Sequence, residues 1–489
     1  MQGQRSARVH RCFEDLVREL GLTPPAAKRP VVCVQGLGFV GAAMAVAVAD
    51  AGDKAGERRF NVVGVDLPTP EGAAKVDAIN SGRFPVATVD TRLGEALRAA
   101  RGRGNLIATT DQRIYSFASV ALVDIPLDVT EIGGQPTATL DGFRSAIRTL
   151  GQHMPAGSLI VVETTVPPGA TERVAAPELA STLALRDLPP DAVLLAHSYE
   201  RVMPGDGYLD SIVNFWRAYA GATPEAADAC EAFLSQVVNV ELYPLTRLSS
   251  PTASETAKVL ENSYRATTIA LMEEWGRFAE AVGIDLLEII AAVRRRPTHS
   301  NIRRPGFGVG GYCLTKDPLL GKIAARDIFK LDGIEFPFST LAVSVNRAMP
   351  LASLAILESA LEGGLAGRRI LLMGISYRDG VSDTRSSPSE IFVRAARERG
   401  ADVVSHDPLV ADWAELGLKI DSAIPSPAGF DAVVFAVPHR EYGRLDLRAW
   451  LDGARPLVLD ANAVLDDDQR AVLGDLGCSA LSIGRGNGV

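Results

Sequence analysis

A glycine-rich turn near the amino terminus places the strongest constraint on the fold. Residues Val31 to Val34 form a short apolar run that predicts a buried strand, and Gly36, Gly38 and Gly41 follow it in the spacing GxGxxG. The next stretch is rich in alanine and valine, which suits a helix that packs closely on a sheet. A strand, this turn and a helix in that order form a dinucleotide-binding unit. The sequence therefore predicts an α/β nucleotide-binding domain.

A second apolar run, Asn61–Val65, ends in Asp66. This carboxylate lies further beyond Gly36 than the usual spacing of about 20 residues, and a polar insertion between Gly52 and Arg59 accounts for the excess. A carboxylate at this place accepts hydrogen bonds from the adenosine ribose and repels a 2′-phosphate. The pattern therefore favours NAD over NADP.

Alternating apolar runs and helical segments continue through the next hundred residues. The predicted strands are Ser119–Val123, Ser158–Val162 and Ala192–Ala196, and the predicted helices are Leu140–His153 and Ala170–Leu185. Such alternation is typical of a doubly wound parallel sheet, here of about six strands. Ligands bind such sheets at the carboxyl ends of the strands. Two of these ends carry chemically rich segments, Glu163–Gly169 and His197–Gly205.

One long helix is predicted in the middle of the chain. It begins at Ser250-Pro251, a good cap and first turn, and runs to Val282 before Gly283. A helix of this length more often bridges domains or lines a dimer interface than closes one small core. Lys258 and Asn262 lie one turn apart on one face, where they could point at a substrate or belong to a solvated stripe.

The segment RRPGFGVGGYCLTKDP, from Arg303 to Pro318, places Cys313 behind four glycines. Glycines at this density let the backbone turn sharply and approach a ligand closely. Lys316 and Asp317 follow within four residues, so that a thiol, an ammonium and a carboxylate could form an activated nucleophile. The alternative is a surface loop that contains a buried cysteine.

A second nucleotide-fold pattern begins after Gly363, Gly364 and Gly367. Its predicted elements are the strand Arg369–Met373, the helix Ser389–Gly400, and the strands Asp402–Ser405, Ala432–Ala436 and Pro456–Leu459. The loop after the first strand has no GxGxxG, but it carries Arg378 and Arg385, which can clamp phosphate oxygens. Two nucleotide-type domains around a cysteine loop imply two nucleotide ligands.

Composition narrows the class of protein. The net charge of −9 offers no overall field for nucleic acid, and no apolar run approaches the roughly 18 residues that span a bilayer. Five scattered cysteines without CxxC spacing argue against disulfides and zinc and favour a reducing cytoplasm. Residues 1–28 are interpreted as a short amphipathic helix with no assigned chemistry, and they contain no apolar signal-peptide core.

Six motifs occur in a familiar order: the glycine fingerprint, ETTVPPGAT, ERVMPG, Lys258 with Asn262, GFGVGGYCLTKDP and SDTRSSP. From Val31 to about Asn462 the chain resembles the nucleotide-sugar 6-dehydrogenases, a family that acts on UDP-glucose and UDP-N-acetylhexosamines. Any one motif could arise by chance, whereas six in order are highly specific. The resemblance implies two Rossmann-like doubly wound domains joined by a central α-helical dimerisation domain with one long helix, assembled as a homodimer or a higher homo-oligomer.

The resemblance also implies a four-electron oxidation of the sugar C6 alcohol to a carboxylate with two NAD in turn. Cys313 would capture the aldehyde as a thiohemiacetal, whose oxidation gives a thioester for water to hydrolyse. Lys258 would stabilise the oxyanion, and Asn262 and Thr165 would hold a water or the sugar. Asp317 and Glu200 would share proton transfer, and Glu200 most plausibly serves the hydrolysis.

The binding residues follow from the same motifs. Those expected to bind the cofactor are Gly36, Gly38, Phe39, Val40, Gly41, Asp66, Thr165 and Lys316. Those expected to bind the substrate are Glu200, Arg201, Val202, Lys258, Asn262, Arg303, Arg304, Gly310, Tyr377, Arg378 and Arg385. For Arg303 and Arg304 a solvated basic face is an equal alternative. No metal is expected.

Two departures from the family pattern affect the expected fit. The residue before the glutamate of the fourth strand is usually proline, and here it is Tyr199. The loop after the third strand usually reads like VPTP, and here it is Asp124-Ile125-Pro126-Leu127. The segment from Glu200 to Gly205 resembles that of enzymes acting on UDP-N-acetylhexosamines, which are therefore the expected substrates, although the KDP of residues 316–318 is common in UDP-glucose enzymes.

The expected domains are an extension at 1–28, an NAD-binding domain at 29–225, a central helical domain at 226–350 and a UDP-sugar-binding domain at 351–489. Two other classes of protein share part of this pattern. A catalytically inactive relative that only binds sugar nucleotides would have lost the nucleophile, whereas Cys313 is present in this chain. A 6-phosphogluconate-type or 3-hydroxyacid dehydrogenase would share only the first domain.

Overall fold

The computed structural model describes residues 29–52, 56–86 and 88–486, together with five residues between 14 and 21. Most of the amphipathic helix expected within 1–28, including Cys12, Phe13 and Leu16, lies outside the described residues. The chain divides into two units. The first comprises the chain up to Lys258 with Ile323–Asp332, and the second comprises Val259–Lys322 with Gly333–Val489.

The first unit is built from alternating strands and helices. Its strands are β1 (Val31–Gln35), β2 (Asn61–Val65), β3 (Leu106–Thr109), β4 (Val120–Val123), β5 (Val129–Ile132), β6 (Gln135–Ala138), β7 (Leu159–Val162), β8 (Leu194–His197), β9 (Ala218–Gly221) and β10 (Thr246–Arg247). Its helices are α1 (Phe39–Asp50), α2 (Pro70–Asn80), α3 (Thr91–Arg103), α4 (Asp141–His153), α5 (Ala176–Ala184), α6 (Asp210–Val213) and α7 (Pro224–Leu234). A turn of π-helix, Thr171–Ala175, leads into α5.

The main sheet of this unit has eight strands in the order β10-β9-β8-β7-β4-β1-β2-β3. The expected doubly wound fold is confirmed, but the expected number of about six strands is too low. The additional strands β3, β9 and β10 are short and have no clear signal in the sequence, and β9 pairs antiparallel with β8. The order reverses between β1 and β4, and this switch point is where such sheets bind nucleotides.

The long helix α8, Pro251–Val282, has the bounds that the sequence predicts. It ends at Gly283, whose φ of +79° lies in the left-handed region that glycine adopts readily. The helix contributes to both units, because Lys258 closes the first and Val259 opens the second. Lys258 and Asn262, the two predicted polar residues, therefore lie on one continuous helix but belong to different units of the chain.

The second unit contains the remainder of α8 and a second Rossmann-like sheet. Its further helices are α9 (Leu286–Val293), α10 (Leu320–Ile323, whose last residue belongs to the first unit), α11 (Pro337–Ala360), α12 (Pro388–Glu398), α13 (Arg440–Gly443), α14 (Leu447–Leu451) and α15 (Asp467–Asp475). Its strands are β11 (Arg369–Met373), β12 (Asp402–His406), β13 (Asp412–Trp413), β14 (Leu418–Lys419), β15 (Ala432–Phe435), β16 (Leu457–Asp460) and β17 (Ala480–Ser482). Five of them form a parallel sheet in the order β12-β11-β15-β16-β17. The last strand, β17, was not predicted from the sequence.

Helix α11 is long and apolar enough to cross a membrane, judged by length and composition alone. Part of it is a core element of the second unit, where Leu354 and Leu357 are fully buried with Ile370 and Phe392. Its Asn346 side chain bonds both backbone groups of Val309, in the cysteine loop. The helix therefore supports the segment that carries the predicted nucleophile.

Candidate active site

The glycine turn after β1 is shaped for a dinucleotide. Gly36 has a φ of +95°, and a Cβ there would lie 2.4 Å from the carbonyl oxygen of Asp124. A Cβ on Gly41 would lie 1.9 Å from the carbonyl oxygen of Gly36. By contrast, the space around Gly38, the cap of α1, is open, and no side chain caps the helix there. The turn therefore leaves a helix N-terminus available for a pyrophosphate.

Asp66 lies at the end of β2 beside this turn. Its carboxylate accepts hydrogen bonds from the backbone N–H of Leu37 at 2.9 Å and of Leu67 at 2.8 Å. Lys75 lies 3.7 Å from the same carboxylate. The carboxylate is thus fixed next to the glycine turn, where an adenosine ribose binds in this fold. Together the turn and Asp66 fit NAD.

The segment after β7 carries Thr165, which is partly buried. The neighbouring Thr164 lies 3.0 Å from the carbonyl oxygen of Val123 and accepts a hydrogen bond from Ile125, so it joins the loops after β4 and β7. Beneath them, Glu163 forms a buried ion pair with Arg217. Burial and the adjacent Glu163 raise the pKa of Asp124, which is the first residue of the loop that departs from the family's VPTP pattern.

Two glutamates tie this segment to the start of α8. The Glu255 carboxylate accepts from the backbone N–H of Gly169 at 2.5 Å and of Thr171 at 2.7 Å. In return, Glu172 accepts from the backbone N–H of Thr252 at 3.1 Å. Each carboxylate thus satisfies donors at the beginning of the other's helical segment. Neither glutamate is among the residues predicted from the sequence, although Glu255 lies one helical turn before Lys258.

Lys258 and Glu200 form the polar centre of the first unit. The Lys258 ammonium donates to the carbonyl oxygen of Glu200 at 2.7 Å and lies 3.5 Å from its Oε1. Both side chains are about nine-tenths buried. The other carboxylate oxygen accepts from the backbone N–H of Val202 at 2.5 Å. Arg201 instead donates to the Tyr199 hydroxyl and the Trp216 carbonyl oxygen.

The glycines of the cysteine loop allow it to pack directly on the carboxyl ends of the C-terminal strands. A Cβ on Gly306 would lie 2.6 Å from Asn462 Oδ1, and one on Gly310 would lie 2.5 Å from the Ser386 carbonyl oxygen. Gly311, with a φ of +80°, lies against the Tyr377 ring. A larger residue at these positions would displace the loop. Close packing, rather than ligand contact alone, explains the glycine-rich sequence.

Cys313 follows this loop with an exposed side chain. Its carbonyl oxygen accepts from the backbone N–H of Asp317 at 2.8 Å, which folds the segment into a tight turn. The Asp317 carboxylate is buried, and each of its oxygens accepts a hydrogen bond. Asn262 donates to one oxygen at 2.8 Å, and Lys316 donates to the other at 2.8 Å. The structure therefore brings four predicted residues, Cys313, Lys316, Asp317 and Asn262, into one cluster.

A group of arginines adjoins Cys313. Loss of surrounding water, followed by the positive charges of Arg303 and Arg378, lowers the pKa of Arg265. The charge of Cys313 acts on the pKa of Arg265 in the opposite direction, so Arg303, Arg378 and Cys313 each lie within electrostatic range of Arg265. Arg265 was missed in the sequence analysis, although it lies three residues after Asn262 on α8, with which it shares a helix face. The cluster forms a local positive field in an acidic protein.

The remaining predicted substrate residues lie in the same unit. Burial raises the pKa of Tyr377 to about 12. Arg385 forms a bidentate ion pair with Asp383, in which its Nε donates to one carboxylate oxygen at 3.0 Å and its Nη2 to the other at 2.8 Å. Its guanidinium carbon also lies 5.6 Å from the centre of the Tyr312 ring. Arg304 is exposed and lines a separate cavity of about 650 Å³ with Arg485 and Asp466.

A glycine turn shaped for a dinucleotide and a second Rossmann-like sheet are the features of an NAD-dependent dehydrogenase with two nucleotide-type domains. Three family models agree. They are the NAD-binding, central and UDP-binding domains of the UDP-glucose/GDP-mannose dehydrogenase family, and they match residues 30–234, 252–348 and 371–467. The chain belongs to the UDP-glucose/GDP-mannose dehydrogenase family and is an NAD-dependent oxidoreductase.

Individual relatives are similar over most of their length. UDP-N-acetyl-D-mannosamine dehydrogenase of Pyrococcus horikoshii is 30% identical, over 84% of this chain and 90% of the relative. A solved structure of UDP-D-ManNAc dehydrogenase from the same organism covers 94% of this chain and 100% of its own, with a TM-score of 0.77 and 27% identity. A UDP-glucose dehydrogenase structure from Pyrobaculum islandicum covers 95% and 99%, with a TM-score of 0.77 and 25% identity.

Proposed function

We propose that this chain oxidises the C6 alcohol of a UDP-N-acetylhexosamine to the carboxylate and uses two NAD per sugar. The observation that carries the proposal is the cluster around Cys313. It joins an exposed thiol, a buried carboxylate held by Asn262 and Lys316, and a group of arginines that suits an anionic diphosphate. A catalytically inactive relative would not require this arrangement of side chains.

The first oxidation needs a base and a hydride acceptor. When bound, NAD accepts the hydride that leaves C6, while a carboxylate takes the hydroxyl proton. Asp317 and Glu200 are the two candidates, one in each unit. The Lys258 ammonium, which Glu200 holds, supplies positive charge for the oxygen as it becomes negative.

The second oxidation proceeds through Cys313. Its thiolate adds to the aldehyde carbon, and the carbonyl oxygen takes up a proton to give a thiohemiacetal. Transfer of the hydride from this carbon to the second NAD, with loss of the hydroxyl proton to a carboxylate, leaves a thioester. Water then adds to the thioester carbon, a carboxylate accepts the water's proton, and the C–S bond breaks to release the uronate and regenerate the thiol. Covalent capture also prevents escape of a reactive aldehyde.

Two observations support an N-acetylhexosamine over glucose. The segment Glu200 to Gly205 has the form expected for the former class, and the relative that is 30% identical is a UDP-N-acetyl-D-mannosamine dehydrogenase. The UDP-glucose dehydrogenase structure is equally similar in fold, so UDP-glucose remains the second candidate.

We further assign NAD binding to residues 29–225, the cysteine loop to a central domain at 226–350 and UDP-sugar binding to residues 351–489. The three family matches support this assignment.

A homodimer is part of the proposal. In the single chain, α8 exposes six large apolar or aromatic side chains, Leu260, Tyr264, Leu271, Trp275, Phe278 and Val282. An apolar groove of about 260 Å³ continues this face along α9. Apolar surface of this extent on a long helix is typical of a protein interface. A second copy of the chain that packs on α8 would cover it with two-fold symmetry.

The test is to count NADH against a panel of UDP-sugars. UDP-N-acetylmannosamine, UDP-N-acetylglucosamine and UDP-N-acetylgalactosamine are compared with UDP-glucose, each supplied in limiting amount with excess NAD. Release of two NADH per sugar for one N-acetylhexosamine, with formation of the uronate, is the expected result. A yield of one NADH would refute the thioester route, and preferential oxidation of UDP-glucose would refute the substrate class.

A further inference from the structure

Tyr199 occupies the position before Glu200 where the resembling family usually has proline. Its side chain is buried, with 1% of the residue exposed. The Lys258 ammonium nitrogen lies 5.6 Å from the centre of the Tyr199 ring, and the Arg201 guanidinium carbon lies 5.0 Å from it. Arg201 also donates to the Tyr199 hydroxyl at 2.9 Å. The substituted residue thus contacts the proposed catalytic lysine.

A buried ammonium requires compensation for the water it has lost. Lys258 obtains part of it from the Glu200 carbonyl oxygen at 2.7 Å and from the more distant carboxylate at 3.5 Å. An aromatic ring attracts a cation within about 6 Å of its centre, and the attraction grows where water is excluded. Proline has no such ring, so this chain holds its lysine in a way that the usual family residue cannot.

We propose that Tyr199 is a positioning residue that uses its ring to hold the Lys258 ammonium in place beside Glu200. The inference rests on the proposed function for its kinetic consequence, because Lys258 stabilises the oxyanion in that mechanism. Arg201 contacts both the ring and the hydroxyl of Tyr199, whereas Lys258 contacts the ring. Tyr199→Phe removes only the hydrogen bond to Arg201, and Tyr199→Leu removes the ring contacts as well. Ring and hydroxyl can therefore be tested apart.

A second tie between the same two elements makes the test practicable. His197, at the end of β8, lies with its Nδ1 2.8 Å from the hydroxyl of Ser254 on α8. Both residues are completely buried. This hydrogen bond lies one helical turn before Lys258 and includes no atom of Tyr199, although the His197 and Tyr199 ring centres lie 6.4 Å apart. Removal of the ring should therefore leave β8 and α8 joined.

The first experiment does not depend on activity. Trace acetylation with acetic anhydride, read by mass spectrometry, compares Lys258 with the exposed Lys419 in the wild type, Tyr199→Phe and Tyr199→Leu. Loss of the ring in Tyr199→Leu should increase the relative labelling of Lys258 about threefold or more, as expected for loss of a buried cation–π contact. Tyr199→Phe keeps the ring and should stay within about 1.5-fold of the wild type. Equal labelling in all three proteins would overturn the proposal.

The second experiment is a double-mutant cycle with Lys258→Ala. Tyr199→Leu should lower kcat about 5- to 20-fold with the KM for NAD nearly unchanged, and it should have less than about a twofold effect when Lys258 is already absent. The same factor in both backgrounds would mean that Tyr199 does not act through Lys258. If the wild type released no NADH from any UDP-sugar, the proposed function would fail, and the labelling experiment would still decide the role of Tyr199.

Discussion

Asn262 donates a hydrogen bond to one oxygen of the buried Asp317 carboxylate at 2.8 Å, and Lys316 donates to the other oxygen at 2.8 Å. The three residues come from a long helix and from the turn that begins at Cys313. A carboxylate that accepts a hydrogen bond on each oxygen has a fixed direction. The cluster is therefore organised before any substrate arrives, which is what a proton acceptor or a water-holding group requires.

Replacement of Asp317 should test this cluster. Asp317→Asn is expected to lower kcat about 10²- to 10⁴-fold, because it removes a candidate proton acceptor. It should also destabilise the protein, because Lys316 is left as a buried charge without its counter-ion. The control is Glu335→Gln, which removes a carboxylate paired with Lys322 at the surface. A kcat for Asp317→Asn within threefold of the control would contradict the assignment.

The nucleophile is tested by Cys313→Ser. Steady-state turnover should fall below about 1% of the wild type, because a hydroxyl is a far weaker nucleophile than a thiolate near neutral pH. Binding of UDP-sugar and NAD, measured by calorimetry, should be retained. Cys478→Ser, at a cysteine remote from the cluster in sequence and buried in the core, is the control. Near wild-type turnover by Cys313→Ser would exclude the thioester route.

Cofactor preference depends on Asp66. Asp66→Ala removes the acceptor for the ribose and the repulsion of a 2′-phosphate, so kcat/KM for NAD should fall about tenfold or more while the NADP value rises or stays constant. The measurement is the ratio of the two efficiencies. Glu71→Ala, which removes the other carboxylate beside Lys75, should leave this ratio unchanged. An unchanged ratio in Asp66→Ala itself would show that another residue selects the cofactor.

The dimer is tested on the exposed face of α8. Leu271 and Phe278 are 47% and 51% exposed in the single chain. Leu271→Asp combined with Phe278→Asp should yield a monomer or an aggregate in sedimentation, with loss of activity although no proposed catalytic residue has changed. Leu185→Asp, a substitution of an exposed leucine in the first unit, should leave assembly intact. A wild type that is monomeric and fully active at micromolar concentration would refute the dimer.

Glu255 predicts a specific pH dependence of stability. Burial raises its pKa to about 7, against the opposing hydrogen bonds from Thr171 and Gly169. Between pH 4.5 and 7 the folded state therefore binds more protons at this residue than the unfolded state does, and stability falls as the pH rises through that window. Relative to Glu255→Gln, the wild type should lose roughly 3 kcal/mol of unfolding free energy between pH 4.5 and 8.

The control for this prediction has the opposite sign. Arg144 and Arg148 lower the pKa of Glu178, so its contribution to stability is lost only as the pH falls below about 4.5. Between pH 5 and 8, Glu178→Gln should therefore show the same dependence of unfolding free energy on pH as the wild type in urea titrations, whatever its absolute stability. If Glu255→Gln showed the wild-type pH dependence across that range, the carboxyl group of Glu255 would not titrate there.

Local patterns in the sequence were sufficient where one short stretch determines the outcome. The bounds of α8 follow from a proline start, a glycine end and an uninterrupted helical pattern between them. The turn after β1 follows from GxGxxG, and Asp66 follows from the strand that precedes it. These features depend on steric and hydrogen-bonding preferences of neighbouring residues, which one sequence displays directly.

Tertiary structure decided whatever depends on residues distant in the chain. The short strands β9, β10 and β17 exist because a sheet edge pairs with them, and few of their own residues signal a strand. Nothing in the sequence marks Glu255 or Arg265, and Tyr199 is marked only as a departure from the family pattern. Folding places Glu255 against Gly169, Arg265 near Arg378 and Tyr199 against Lys258. Burial and charge at such contacts arise from the packing of segments dozens of residues apart, so only the folded chain shows them.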